Sequence, residues 1–178
     1  MPKSSDPRNV VDEFKGLPQD EIIAALDTRG VQLEIAIENL ERDFNMGTIV
    51  RSANAFGVRT VHVIGRRQWN KRGAMMTDKY LHLVYHPTID EFIDSVSNKQ
   101  IIAVDNVAGA VDISDAILPR DCVLVFGAEG PGISPELAVR AHAIVAIKQR
   151  GSTRSLNVGV AAGIAMYEWA RRNVSRVG

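Results

Sequence analysis

The apolar positions of this chain fall into short continuous runs that alternate with segments of helical spacing. The runs are rich in Val, Ile and Leu and are bounded by polar or glycine residues, as expected of strands buried in a sheet. Six strands are predicted, at residues 31–37, 60–64, 83–85, 101–104, 122–126 and 143–147.

Helical signals lie before and between these runs. Apolar residues share one helical face in 18–29, and Gly30 is a natural stop. Thr88 and Ser134 are placed to cap two further helices. The predicted helices are 18–29, 46–56, 89–96, one that begins after Ser134, and 156–173. This alternation predicts an α/β fold with a mainly parallel sheet flanked by helices.

Two polar segments interrupt the pattern. The first 16 residues predict a flexible lead-in, and residues 65–79 predict a polar loop rich in Arg and Lys. A chain of 178 residues has the size of one domain with one core. We therefore divide it into an N-terminal extension with one helix, residues 1–30, and a single domain, residues 31–178.

Composition narrows the classes of function. Lys and Arg number 21 and Asp and Glu also number 21, so an RNA site must be a local patch on a neutral body. The single cysteine, Cys122, excludes a disulfide framework within one chain and is expected to be buried and structural. No signal peptide and no membrane-spanning stretch is evident, which predicts a cytoplasmic protein. The four histidines lack paired metal spacing, so no metal is expected.

The first candidate segment reads Asn-Met-Gly-Thr-Ile-Val-Arg from Asn45 to Arg51 and opens the second predicted helix. Asn45 is well placed to cap this helix, and Arg51 lies in its second turn. A helix N-terminus and an arginine fork both suit an anion. A capped amphipathic helix with one solvated arginine explains the spacing equally well.

The second candidate segment, Phe-Gly-Ala-Glu-Gly-Pro-Gly, covers 126–132 and follows a predicted buried strand. Ligands of open α/β sheets bind at this end of a strand, and glycines let the backbone approach them closely. Glu129 stands between the glycines, where it would be exposed to a ligand. The segment is neither a dinucleotide fingerprint nor a phosphate loop, and it also fits a plain tight turn.

The third candidate segment joins the last predicted strand to the last helix and covers 147–163. It is a polar loop followed by a helix start rich in Gly and Ala. Small residues allow a ligand, a second chain or a neighbouring helix to pack very close, so a crowded core remains an alternative.

A cluster of cations in the polar loop suggests an RNA contact. Residues 66–72 place four cations around one tryptophan, and two more arginines lie in the third segment. Cations meet phosphates, and a tryptophan stacks on unpaired bases. The candidate RNA-binding residues are Arg66, Arg67, Trp69, Lys71, Arg72, Arg150 and Arg154. The alternative is a solvated loop with its tryptophan packed on the body.

The three candidate segments, in this order, resemble the motifs of the SpoU (TrmH-type) family of the SPOUT methyltransferases. The resemblance covers 39–172. It implies a methyl transfer from S-adenosylmethionine to a ribose 2′-oxygen of transfer or ribosomal RNA. It also implies a homodimer and a C-terminal trefoil knot that holds the methyl donor. A short N-terminal extension slightly favours transfer RNA.

The resemblance carries functional roles onto matching positions of this chain. The implied catalytic side chains are Arg51, Asn45, Glu129, Ser155 and Asn157. The implied cofactor-binding residues are Phe126, Gly127, Glu129, Gly130, Ile147, Gln149, Ser155 and Leu156. Arg51 is expected to assist the hydroxyl, and Asn45 to orient Arg51 or cap its helix.

Two departures from the family pattern stand in the third segment. Lys148 and Gln149 replace the Pro-Met of many members, which affects the wall of the cofactor pocket, and Gly159 replaces a serine. Two other functions stay open at this point. One is an RNA-binding module of the same fold without catalysis, and the other is a nucleotide-dependent enzyme that uses the glycine-rich loop for phosphate.

Overall fold

The structure, a computed structural model, describes residues 6–39, 45–128 and 130–174. Within these ranges, seven strands form one sheet in the order β3-β2-β1-β6-β4-β7-β5, and all neighbouring strands run parallel. The strands are β1 (Glu34–Asn39), β2 (Thr60–Gly65), β3 (His82–His86), β4 (Gln100–Val104), β5 (Val111–Asp112), β6 (Cys122–Phe126) and β7 (Ala143–Ala146). The predicted α/β fold with a mainly parallel sheet is confirmed.

Helices cover both faces of this sheet. They are α1 (Gln19–Thr28), α2 (Met46–Ala55), α3 (Ile89–Ser95), α4 (Pro135–Ala138) and α5 (Val158–Asn173). Helices α2 and α5 share one buried cluster with alternate strand residues, and α3 and α4 share a second cluster on the other face. Cys122 is fully buried in the first cluster, and burial raises the pKa of its thiol to about 12, which fits the predicted structural role.

Strand β1 ends later than the sequence pattern predicts. Glu38 and Asn39 continue it and are fully buried, although both are polar. Distant backbone groups hold them. Glu38 accepts a hydrogen bond from the Ser134 amide, and Asn39 donates to the carbonyls of Arg66 and Gln68. Apolar periodicity does not detect a strand end that is paired in this way.

The predicted flexible lead-in is wrong for residues 6–16. A 3₁₀ turn at Asp12–Phe14 places the Phe14 ring in a small buried cluster with Ile22 of α1 and Tyr80. Residues 1–5 lie outside the described ranges. Apolar residues flank the polar stretch and anchor it, because their burial compensates for the ordering of the backbone.

The loop predicted at 65–79 also has internal structure. It contains 3₁₀ turns at Arg72–Ala74 and Thr77–Tyr80, and Met75 and Met76 between them adopt left-handed φ angles of 48° and 65°. Strand β5 was not predicted, because two residues carry no periodic signal. Ser134 caps α4 as expected through its hydroxyl, but that helix is only four residues long.

Parallel pairing brings the carboxyl ends of β1, β6, β4 and β7 to one edge of the sheet. All three candidate segments leave the sheet at this edge. No helix in the described ranges is long and apolar enough to cross a membrane.

Candidate active site

A cavity of about 280 Å³ opens at the carboxyl edge of the sheet. Its walls come from the segments that follow β4, β6 and β7 and from the first turns of α5. The lining residues are Val104, Asp105, Asn106, Gly127, Ala128, Gly130, Gly132, Ile147, Gln149, Ser155, Leu156, Asn157, Val158 and Ala161.

The loop after β6 forms one wall and depends on its glycines. The Gly132 amide donates to the Ala128 carbonyl over 3.1 Å, so the loop curls back on itself. A side chain at Gly127 would overlap the backbone of Gly132. Gly130 and Gly132 have φ angles of 102° and 75°, which other residues rarely adopt. The glycines bring bare backbone to the cavity.

Two carboxylates hold this loop from opposite sides. Asp105, which follows β4, accepts from the Ile133 amide through Oδ2 over 2.9 Å. Glu38, at the end of β1, accepts from the Ser134 amide through Oε2 over 2.8 Å. Strand β6, which leads into the loop, lies between β1 and β4 in the sheet. The consecutive amides of Ile133 and Ser134 are therefore held by carboxylates that follow or end the two strands flanking β6.

The segment after β7 forms the opposite wall. Ile147, Gln149, Ser155 and Leu156 line the cavity. Asn106 holds this segment to the end of β4, since its Nδ2 donates to the Arg154 carbonyl over 2.9 Å. The cavity therefore lies between two loops that are both anchored to the segment following β4.

Asn157 connects the second wall to α2. Its Oδ1 caps α5 by accepting from the amides of Gly159 and Val160 over 3.0 and 3.3 Å. Its Nδ2 donates to the Asn45 Oδ1 over 2.8 Å. Asn45 stands at the first turn of α2 but makes no side-chain capping bond there, so the predicted cap is wrong. The Asn45 backbone is already helical, with φ −85° and ψ −17°, whereas a capping residue is usually extended.

Arg51 lies in the second turn of α2 with an exposed side chain. The helical rise of 1.5 Å per residue places it about 9 Å along the axis from Asn45. Arg51 is not among the residues that line the cavity, and no hydrogen bond or ion pair holds it within the described part of the chain. The start of its helix contacts Asn157, which lines the cavity, whereas Arg51 itself lies outside the lining.

The polar loop at 65–79, called the cationic loop below, packs partly against the rest of the protein. Trp69 is half-buried against the core below α2, and the Lys71 ammonium lies 5.6 Å from its ring. Lys71 also pairs with Asp78 at 3.0 Å, and the Arg67 guanidinium stacks 4.8 Å over Tyr85. Arg66 and Arg72 are exposed. The tryptophan thus packs on the body, while the cations around it face solvent.

A second group of cations lies in the segment after β7. Lys148, Arg150 and Arg154 are exposed there, beside Asp112 of β5. Hydrogen bonds from the Ser114 backbone and hydroxyl lower the pKa of Asp112, and the charges of Lys148 and Arg150 lower it further. This carboxylate does not line the cavity.

The family of the chain follows from comparison of its sequence. Residues 32–167 match the SpoU rRNA Methylase family. The chain belongs to this family. It is 28% identical over 156 residues to the tRNA (guanosine(18)-2′-O)-methyltransferase of Escherichia coli, an alignment that covers 85% of this chain and 68% of that enzyme.

Solved structures of SpoU proteins share the fold. The TrmH/SpoU tRNA modifying enzyme of A. aeolicus superposes with a TM-score of 0.76 at 26% identity, over 86% of this chain and 81% of that one. An AdoMet-bound rRNA methyltransferase from Sinorhizobium meliloti superposes with a TM-score of 0.71 at 27% identity. That match covers 80% of this chain, which spans 57% of the S. meliloti protein.

The structure brings most of the predicted cofactor-binding residues together around the cavity. Gly127, Gly130, Ile147, Gln149, Ser155 and Leu156 all line the cavity. Phe126 does not, because its ring is fully buried in the core on the α2 and α5 side. Glu129 lies outside the described ranges, so its predicted position stays a prediction.

Sequence reasoning missed the contribution of the segment after β4. Asp105 and Asn106 line the cavity, yet no motif marks them. The available signal was a polar pair placed directly after a buried strand. This polar pair points to the cavity only once the strand order is known, because β4 lies between β6 and β7, whose following loops form the two walls.

The lining fits a small cationic ligand better than a phosphate. Within the described lining, Asp105 is the one charged side chain, and Lys, Arg and His are absent. Phosphate sites gather cations and amides, whereas this cavity presents a carboxylate and bare glycine backbone. S-adenosylmethionine carries a positive sulfonium, so the residues present fit the donor that the S. meliloti relative binds.

Proposed function

We propose that this protein transfers a methyl group from S-adenosylmethionine to a ribose 2′-oxygen of a transfer or ribosomal RNA. The observation that carries the proposal is the glycine-walled cavity, whose described lining includes the Asp105 carboxylate. Two SpoU motifs contribute to this cavity, and Asn157 connects it to the third. The relatives named above act on these two classes of RNA.

The protein must align the ribose hydroxyl with the methyl donor. It must also assist the attack of this hydroxyl, which is only weakly acidic. The donor supplies a methyl carbon on a positive sulfur, so the reaction is a direct displacement that needs no metal. Backbone of the 127–132 and 147–157 loops holds the donor and excludes water. Fixed alignment of this kind contributes several kcal/mol to a displacement.

Arg51 is the proposed helper of the hydroxyl. A guanidinium is a poor literal base, because arginine holds its proton too tightly to exchange it with a hydroxyl. It instead stabilises the developing alkoxide or clamps the neighbouring phosphate. Its exposure, and the lack of a partner among the residues that the structure describes, leave the guanidinium available to RNA. Asn45, Ser155, Asn157 and Glu129 are proposed to position the loops and the RNA.

The test compares Arg51→Ala with Arg140→Ala. Arg140 is an exposed arginine paired with Asp90 at 2.7 Å, and it follows α4, away from the cavity. Arg51→Ala should lose about 10²-fold or more in methyl transfer to RNA, by analogy with removal of one transition-state donor. Both variants should bind S-adenosylmethionine as the wild type does in isothermal titration.

Two results would contradict the proposal. Near-normal transfer by Arg51→Ala would remove Arg51 from the reaction. A wild-type protein that binds RNA but never takes up the methyl donor would instead be an RNA-binding module without catalysis. The phosphate-binding alternative is disfavoured by the anionic lining.

The RNA is proposed to lie across the two groups of cations. The first comprises Arg66, Arg67, Lys71 and Arg72 around Trp69, and the second comprises Arg150 and Arg154. Both groups lie in segments that leave the carboxyl edge of the sheet, the edge at which the cavity opens. Base stacking on Trp69 is limited to the ring surface that its packing leaves open.

A homodimer and a trefoil knot are part of the proposal. Val160, Ile164 and Tyr167 form an exposed apolar stripe along α5, and the exposed Leu156, which lines the cavity, lies just before this helix. A second copy on this stripe would complete the site. The knot is supported by the path of the chain, which leaves β7 beyond β4 and returns as α5 against β4, β6 and α2. The cytoplasm, where the proposed RNA and methyl donor are found, is the proposed location.

A further inference from the structure

The carboxylate of Asp105 has no role in the family motifs carried over above, yet it is the charged group of the described cavity lining. We propose that Asp105 is a binding residue that recognises the positive charge of the methyl donor and so favours the charged donor over the neutral product. The inference rests on the proposed function and deepens it.

The position of Asp105 is fixed by backbone, not by a counter-ion. Oδ2 accepts from the Ile133 amide over 2.9 Å, and Oδ1 accepts from the Asn106 amide over 2.7 Å. Gly132 packs directly against the carboxylate, where a Cβ would overlap Oδ2. The side chain therefore cannot turn away from the cavity without breaking two hydrogen bonds.

No described cation neutralises the negative charge of Asp105. No Lys, Arg or His pairs with it in the described ranges, and none lines the cavity beside it. Each carboxylate oxygen accepts one amide and keeps a second lone pair. A half-buried, unpaired carboxylate attracts a cation more strongly than one in bulk water, because the local dielectric is lower.

The methyl donor, S-adenosylmethionine, and its product, S-adenosylhomocysteine, differ in the charge that would interact with the Asp105 carboxylate. S-adenosylmethionine has a positive sulfonium, and the sulfur becomes a neutral thioether when its methyl carbon bonds to the ribose oxygen. The electron pair of the broken C–S bond stays on sulfur, and the proton of the ribose hydroxyl is released to solvent, so one positive charge disappears from the cavity. Asp105 would then hold the product less tightly and ease its release.

The experiment measures Kd for S-adenosylmethionine and S-adenosylhomocysteine by isothermal titration with wild type, Asp105→Asn and Asp105→Ser. The control is Asp112→Asn, because Asp112 also accepts from a nearby backbone amide, that of Ser114, but does not line the cavity. Loss of the charge should weaken donor binding about tenfold more than product binding. The control should leave the ratio of the two Kd values unchanged.

Several outcomes overturn the inference. If both ligands weaken equally in the neutral variants, Asp105 only positions the 127–132 loop, and the proposed methyl transfer still stands. If neither neutral variant folds, the residue serves the fold and the inference is wrong. If wild type binds neither ligand, the proposed function itself fails.

Discussion

At the scale of single residues, one amide side chain serves two helices. Asn157 caps α5 with its oxygen and donates its nitrogen to Asn45 of α2. Asn157→Ala and Asn45→Ala both remove the bond between the helices, but only the first also removes the cap. We therefore expect Asn157→Ala to lower the free energy of unfolding by about 1 kcal/mol more than Asn45→Ala, which urea titration measures.

Ser134→Ala provides a reference for this comparison, since the Ser134 hydroxyl caps α4 away from the Asn45 contact. It should show a loss of similar size, about 0.5–2 kcal/mol. Equal losses for Asn45→Ala and Asn157→Ala would mean that the α5 cap adds nothing to stability.

The residue scale also shows where sequence motifs stop being informative. Gly127, Ser155 and Leu156 belong to motifs, and their place in the cavity could be anticipated. Glu38 and Asp105 could not, because each acts on an amide far away in the chain, Ser134 and Ile133. Such partners depend on strand order, which local patterns do not specify.

At the scale of elements, α2 is held between two close contacts. Its Gly47 packs on the 3₁₀ turn of the cationic loop, where a Cβ would lie 2.6 Å from the Ala74 amide and 2.8 Å from the Gly73 Cα. Its Thr48 lies against Gly159 of α5. Gly159 of α5 thus lies in a crowded contact between helices, as one alternative from the sequence predicts, whereas Ala161 of the same helix lines the cavity.

This packing predicts opposite effects for two glycine substitutions. Gly47→Ala should lower the free energy of unfolding by about 1–3 kcal/mol, because the methyl group meets backbone that cannot move aside. Gly163→Ala is the matched control, since the nearest atom to its Cβ would be the Ser52 Oγ at 3.9 Å. It should raise stability by about 0.5–1 kcal/mol through helix propensity. Urea unfolding of both variants checks the pair, and a stable Gly47→Ala would contradict the close contact.

Some ends of strands and helices can be predicted from neighbouring residues in the sequence, and others depend on residues far away in the chain. The strand at 122–126 was predicted to the residue, because a fully buried parallel strand is a continuous apolar run. Strand β1 was misplaced, because its buried end is polar and is paired with distant groups. The order of the segment at 6–16 could not be predicted, since the residues that bury Phe14 lie in α1 and near β3.

At the scale of the whole molecule, the apolar stripe on α5 is unusual for a surface helix. Val160, Ile164 and Tyr167 are 51%, 39% and 58% exposed, and their helical spacing places them on one face. Helix α2, which carries Arg51, packs beside this face, since the Phe56 and Tyr167 rings meet edge to face at 6.5 Å. A dimer formed here would bring the cavity mouth and Arg51 of both copies to one interface.

If the proposed homodimer forms on this stripe, Ile164→Glu should sediment as a monomer, whereas the wild type should sediment at twice the chain mass. A charge in the centre of the stripe costs little in the free chain, where the side chain is partly exposed, but much once a second copy covers it. Ile117→Glu is the control, because Ile117 is 85% exposed and lies outside the stripe, so this variant should remain dimeric. Since Leu156, just before the helix that carries the stripe, lines the cavity, the monomeric variant should also lose methyl transfer. A wild type that is monomeric at every concentration, or an active monomeric Ile164→Glu, would show that one chain alone completes the site.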